Sequence, residues 1–176
     1  MAEYDCLLVD GYNIINHWDE LRSEMVHSLD SAREILIDQL ASYKGFVGCR
    51  LLVVFDAHYV SRSMEKTELT NGIEVVFTKE GESADAYIER FVYQNKNRYS
   101  SIGVATSDYL QQLIILGSGA IRITPGELKA DIRKCGAKAK ERYRKESELR
   151  PNSLGSRLNE AVFRELEKLR REDTKN

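Results

Sequence analysis

Along the chain, short apolar runs alternate with longer stretches in which apolar residues recur every three or four positions. The short runs are Leu7-Leu8-Val9, Leu51 to Phe55, Ile73 to Phe77, Ile102 to Ala105 and Ile121-Arg122-Ile123. They are rich in β-branched residues and bounded by polar ones, which reads as buried parallel strands. A helix is expected over 29–44, where Ile35, Leu36, Leu40 and Tyr43 share a spacing that ends near Gly45. A second is expected over 83–97, with Ala84, Ile88, Phe91 and Val92 on its apolar side. A third runs from about 107 to Gly117, its apolar side formed by Leu110, Leu113, Ile114 and Leu116. The stretch containing Trp18 and the segment 57–71 read as polar connections. Thr124-Pro125-Gly126-Glu127 starts another helix, with a Thr cap, Pro at the first helical position and Glu completing a capping box. Strands alternating with helices of this length predict an α/β fold, with a central parallel sheet covered by helices on both sides.

The polar residues that end these runs change the picture from fold to chemistry. Asp10 closes the first strand, with Asn13 just beyond, and Asp56 closes the second. The strand at 73–77 leads to Glu82 and Asp85, and the strand at 102–105 runs into Thr106-Ser107-Asp108. In open α/β sheets ligands bind outside the carboxyl ends of the strands. Several carboxylates delivered to one edge repel one another unless a hard cation lies among them, which points to Mg2+ or Mn2+ and to phosphate chemistry. Each residue also has an ordinary structural role. Asp10 and Asn13 can order a turn, and Glu82 and Asp85 suit the first turn of a helix. Ser107 or Thr106 can cap the helix that follows, and Glu89 can pair with a nearby base. Asp56 can support a ligand from behind or simply anchor its strand.

Charge adds a second element. The chain has 176 residues and a formal net charge of −2, with 42% hydrophobic and 31% charged residues, as expected for one soluble globular domain. The small net charge hides a dipole. Between 129 and 145, Lys129, Arg133, Lys134, Lys138, Lys140, Arg142, Arg144 and Lys145 are opposed only by Asp131 and Glu141. A solvated helix face explains many such runs, but the imbalance favours nucleic acid, held through its phosphates, with Tyr143 able to stack on a base. Pro151-Asn152 interrupts this segment, and Ser156 starts a final helix carrying Leu158, Val162, Leu166 and Leu169. An α/β core over 1–125 and a basic helical extension over 126–176 are therefore expected, as parts of a single domain.

No apolar stretch approaches the roughly 20 residues that span a bilayer, and the acidic first residues do not suit a secretory signal. Cys6, Cys49 and Cys135 are odd in number and lack a CxxC spacing, which suits reduced thiols and a cytoplasmic location. His17, His27 and His58 show no spacing suited to metal ligation.

LLVDGYNIIN, VVFDAH, GESADAYIER and VATSDYLQQ, taken in this order, resemble the YacP type within the NYN branch of PIN-like nucleases. The resemblance covers nearly the whole chain. It implies a three-layer PIN-like fold and metal-dependent endonucleolytic cleavage of RNA. Asp10, Asp85 and Asp108 would be the metal-binding acids, with Asn13 beside them and Asp56, Glu82 and Ser107 as supporting positions. Because the type includes a ribosome-associated endoribonuclease that cuts mRNA in the ribosomal A site, it also implies the ribosome as a partner. The family often carries a further acid between the first and third strands, where only Asp56 stands here. Two other nucleotide-handling folds fit poorly. A haloacid-dehalogenase-type phosphatase wants a second Asp where Tyr12 stands, and a dinucleotide-binding domain wants a glycine-rich turn after the first strand. A non-catalytic RNA- or ribosome-binding protein on the same fold is the alternative, and loss of an acid would signal it.

Overall fold

The computed structural model describes residues 4–56 and 65–149. His58, most of the 57–71 segment, Pro151-Asn152 and the helix expected from Ser156 lie outside the described residues. In chain order the elements are β1 (Cys6–Asp10), α1 (Gly11–His17), α2 (Asp19–His27), α3 (Leu29–Val47), β2 (Arg50–Phe55) and β3 (Lys66–Thr70). They continue with β4 (Ile73–Phe77), α4 (Ala84–Asn95), β5 (Ile102–Ala105), α5 (Tyr109–Gly117), β6 (Ile121–Ile123) and α6 (Pro125–Leu149). The chain divides between Gly136 and Ala137, inside α6, so the α/β unit ends at Gly136.

The six strands form one sheet in the order β3-β4-β2-β1-β5-β6. All neighbours run parallel except β3 and β4, which form an antiparallel hairpin. Strand alternation separates two apolar layers. Leu7, Val9, Leu51, Val53 and Phe55 face a cluster built with Ile14, Ile15, Trp18, Leu36, Leu40 and Leu128. Cys6, Leu8, Leu52, Val54 and Val104 face the other side, against Ala84, Ile88, Val92 and Ile115. The chain therefore forms the expected α/β layers with helices on both faces of the sheet.

Four expectations need correction. The connection after β1 is not a loop: α1 and α2 fill it, and Trp18 between them is buried, its Nε1–H donating to the Pro125 carbonyl at 3.0 Å. The end of the 57–71 segment is the edge strand β3, which the polar sequence KTELT conceals. Asn71 and Gly72 take positive φ (50° and 81°) to turn it into β4, the backbone an Asn-Gly hairpin turn requires. In α3, Ile37 rather than Ile35 joins the buried face with Leu36 and Leu40, and the helix continues to Val47 with Gly48 as its left-handed cap.

The largest departure is α5. Leu110, Leu113, Ile114 and Leu116, the expected core face, are exposed, while Gln111, Gln112 and Ile115 are buried. A nine-residue helix with five aliphatic side chains (YLQQLIILG) has apolar residues on every side, so its periodicity cannot say which face meets the sheet.

Candidate functional site

β1 lies between β2 and β5, so the chain leaves it in one direction for β2 and later returns on its other side as β5. The switch point of the sheet, where α/β folds leave a crevice, is thus outside the ends of β1 and β5. Asp10 is the last residue of β1 and Asp108 follows β5 by three positions. Asp56 follows β2, and Asp85 lies in the first turn of α4.

Local geometry fixes Asp10, Asp85 and Asp108 at helix starts. Asp10 is 7% exposed and caps α1, accepting a hydrogen bond from the Asn13 backbone N–H at 3.1 Å. Asp108 caps α5 in the same way, accepting from the Gln111 N–H at 2.9 Å, while its own N–H donates to Thr106 Oγ1 at 3.1 Å. Ser83 caps α4, so of the two acids expected in its first turn only Asp85 lies there and Glu82 precedes the helix. Glu82 faces Arg90 at 2.9 Å, and Arg90 also pairs with Glu65 at 3.0 Å. Asn13 bridges the two strand ends: its Oδ1 accepts from both the Ser107 N–H (2.8 Å) and the Ser107 hydroxyl (2.5 Å). The β5–α5 junction is thereby tied to the start of α1.

Electrostatics shows that the carboxylates feel one another. Burial pushes the Asp10 carboxyl up to about 7. The Asn13 N–H opposes that shift, while the charges of Asp85, Asp56 and Asp108 add to it. Asp85 is also raised, first by burial, then by Asp108, Glu89 and Asp56, and a hydrogen bond with Asp10 partly offsets this. The opposite edge of the sheet is balanced: Arg50 grips Glu74 through Nε (2.6 Å) and one terminal nitrogen (2.5 Å). Among the described residues, no three His, Cys, Asp or Glu side chains are drawn together tightly enough to ligate one ion as they stand.

Behind Asp10, Gly11 meets the ring of Phe55 so closely that a Cβ there would overlap it. Arg33, from α3, donates to the Tyr12 hydroxyl, lies 5.4 and 5.8 Å from the Tyr12 and Phe55 ring centres, and pairs with Asp30 at 2.5 Å. This cluster holds the start of α1 against the sheet.

The basic residues of α6 divide. Lys129 is tied down, bonded to Glu20 at 2.7 Å and lying 5.6 Å from the Trp18 ring centre. Arg133, Lys134, Lys138, Lys140, Arg142, Arg144 and Lys145 are exposed. Lys134 lies 3.5 Å from Asp131, and Lys145 2.8 Å from Glu141. The backbone of Tyr143 belongs to the helix. His17 and His27 end α1 and α2 and join none of these carboxylates. Sequence reasoning missed the burial of Gln111. Its signal was a polar pair, Gln111-Gln112, in an otherwise aliphatic helix, a pattern that first suggests an exposed face.

A family model described as the YacP-like NYN domain matches residues 7–171. An uncharacterised protein of Bacillus subtilis (strain 168), YacP, is 40% identical over 169 residues, covering 96% of this chain and 98% of its own. The crystal structure of Rae1 (YacP) from Bacillus subtilis superposes with a TM-score of 0.71 at 40% identity, over 96% of each chain. A point mutant of that protein gives 0.72 at 38% identity, over 87% of this chain and 89% of its own. Among the described residues, no helix is long and apolar enough to cross a membrane.

Proposed function

The chain belongs to the YacP-like NYN domain family, a nuclease-like one, and from that premise we propose that it is a metal-dependent endoribonuclease. Its substrate is mRNA, cut in association with the translating ribosome. The observation that carries the reading is the raised carboxyls of Asp10 and Asp85 at the switch point of the sheet, on which the charges of Asp56 and Asp108 bear. A purely structural sheet edge gains nothing from acids that destabilise one another.

The donor set is all hard oxygen, which suits Mg2+ or Mn2+. Mg2+ retains several waters and engages one or two carboxylates directly, so it does not require three acids already closed around it. Asp10, at the end of β1, and Asp85, in the first turn of α4, are the two raised carboxyls, and the charge of Asp108 bears on both. A cation held by these acids would supply a nucleophile usable near neutral pH and would neutralise charge on the phosphodiester. In-line hydrolysis leaves 5′-phosphate and 3′-hydroxyl ends.

The chain's own residues do the positioning. Asn13 holds Ser107 through Oδ1 and so keeps Asp108 beside the end of β1. The Asn13 side-chain amide can also donate, through Nδ2, to a phosphate oxygen. The exposed bases from Arg133 to Lys145 bind the phosphate backbone of RNA, in mRNA or in the ribosome, because counterion release rewards each contact.

The test is cleavage of a labelled mRNA, alone and on ribosomes, with Mg2+, with Mn2+ and with chelator. Metal-dependent cuts that vanish in the Asp10→Asn and Asp85→Asn variants are expected. Tight RNA or ribosome binding with no cleavage under any of these conditions would instead establish the non-catalytic reading.

A further inference from the structure

In α5 the polar side chains are inside and the leucines outside. Gln112 has a full account: its Nε2 donates to the Thr106 carbonyl at 2.7 Å, and its Oε1 accepts from Arg122 at 3.1 Å. Gln111 has none. It is 2% exposed, and neither its Oε1 nor its Nε2 finds a partner among the described residues. A buried amide left in that state destabilises a fold, and native proteins seldom keep one without a reason. A leucine would fill the position without that penalty.

The position of Gln111 points to the reason. Its backbone N–H is bonded to Asp108 Oδ1, so its side chain leaves α5 within the first turn. It shares a helix face with Ile115, four residues on, and Ile115 packs in one cluster with Ala84, Tyr87 and Ile88 of α4. Both helices follow strands of the parallel sheet and begin at its carboxyl edge. Gln111 is therefore on the side of α5 that fronts the first turn of α4, which carries Asp85.

We propose that the Gln111 carboxamide anchors the hydration shell of the divalent cation held by Asp10, Asp85 and Asp108. The inference rests on the metal-dependent reading above. Waters on a cation are strong donors, which suits Oε1 as their acceptor, while Nε2 donates to a carboxylate or phosphate oxygen. Such a group acts through the hydration shell and is a positioning residue.

Calorimetric titration of the full-length protein with MnCl2 tests this, alongside urea unfolding in chelator. Gln111→Leu is expected to bind Mn2+ about ten- to a hundredfold more weakly and to unfold at higher urea than wild type when no metal is present. A merely structural glutamine predicts the reverse: lower stability in chelator and unchanged affinity. Gln111→Glu keeps the acceptor and adds a charge, so it should bind Mn2+ at least as tightly as wild type, which keeps the test decisive if the leucine variant folds poorly. Wild-type affinity in Gln111→Leu, or weakened binding in Gln111→Glu, overturns the role of Gln111. Failure of the wild-type protein to bind Mn2+ overturns the metal-dependent reading itself, and this inference with it.

Discussion

Replacing Asp10 by Asn should make the metal-free protein more stable while abolishing cleavage. In the folded chain the Asp10 carboxyl, ordinarily at 3.8, is pushed up to about 7 by burial and by Asp85, Asp56 and Asp108. The sign follows from where the proton is held. Between these two values the folded state keeps a proton that the unfolded chain has lost, so the stability is fully present below 3.8 and is lost as pH rises through about 7. At about 1.36 kcal/mol per pH unit, ionised Asp10 costs roughly 4 kcal/mol at pH 8. The residue is 7% exposed, so solvent screens little of this. Against a total of roughly 5–15 kcal/mol for a domain, the effect is large. Asn keeps a cap acceptor for the Asn13 N–H and removes only the charge. Urea unfolding in chelator at pH 5 and pH 8 should therefore show a wild-type protein that weakens with pH more steeply than the variant. At pH 8 the variant should be the more stable by up to about 4 kcal/mol, or roughly 10 °C in Tm. Mg2+ should recover stability for the wild type at pH 8 and not for Asp10→Asn. Equal pH slopes in the two proteins would refute the buried, mutually repelling site.

Gly11→Ala places a methyl group into the Phe55 ring and should destabilise by about 1–3 kcal/mol in urea titrations, with Phe55→Leu in the same chain restoring part of that stability. Asn13→Ala removes both hydrogen bonds to Ser107, so it should cost about 1–3 kcal/mol, at roughly 0.5–1.5 each, and lower kcat more than it raises KM for RNA. Reversing Lys138, Lys140, Arg142 and Arg144 to Glu should leave the urea midpoint and Mn2+ affinity unchanged. It should flatten the salt dependence of RNA binding by about 0.7 in slope for each phosphate of a single strand that is no longer neutralised, read by filter binding and ribosome co-sedimentation. Binding that survives this change would mark the segment as a solvated helix face.

Much of the molecule is legible in one dimension because its signals are local. A strand buried on both faces needs a continuous apolar run, and Leu7-Leu8-Val9 and Leu51 to Phe55 provide it. Capping residues can announce themselves by type, as Asp10 and the Thr124–Glu127 box do. But α5 took Asp108 as its cap and not the expected Ser107 or Thr106, since residue type cannot choose among three adjacent polar candidates. Their places at strand ends followed from the same runs, so the acids of the candidate site could be named without a structure. β3 was harder, since an edge strand with one exposed face needs no apolar run, although Asn71-Gly72 marked its turn.

What only the tertiary structure decided concerns neighbours. Hydrophobic content makes α5 a helix but does not orient it, because five aliphatic residues in nine leave no unique apolar face. Packing of Ile115 against α4 chose the face, and so buried Gln111 and exposed Leu110, Leu113, Ile114 and Leu116. Asn13 to Ser107, Trp18 to Pro125 and Lys129 to Glu20 are likewise pairings across 94 to 109 residues of sequence. The raised carboxyl of Asp10 belongs to this class too, since it comes from burial and from charges on other strands and helices. Residue type and spacing along the chain determined which groups could take part. The distances between them, and hence their energies, came from how the sheet and helices pack.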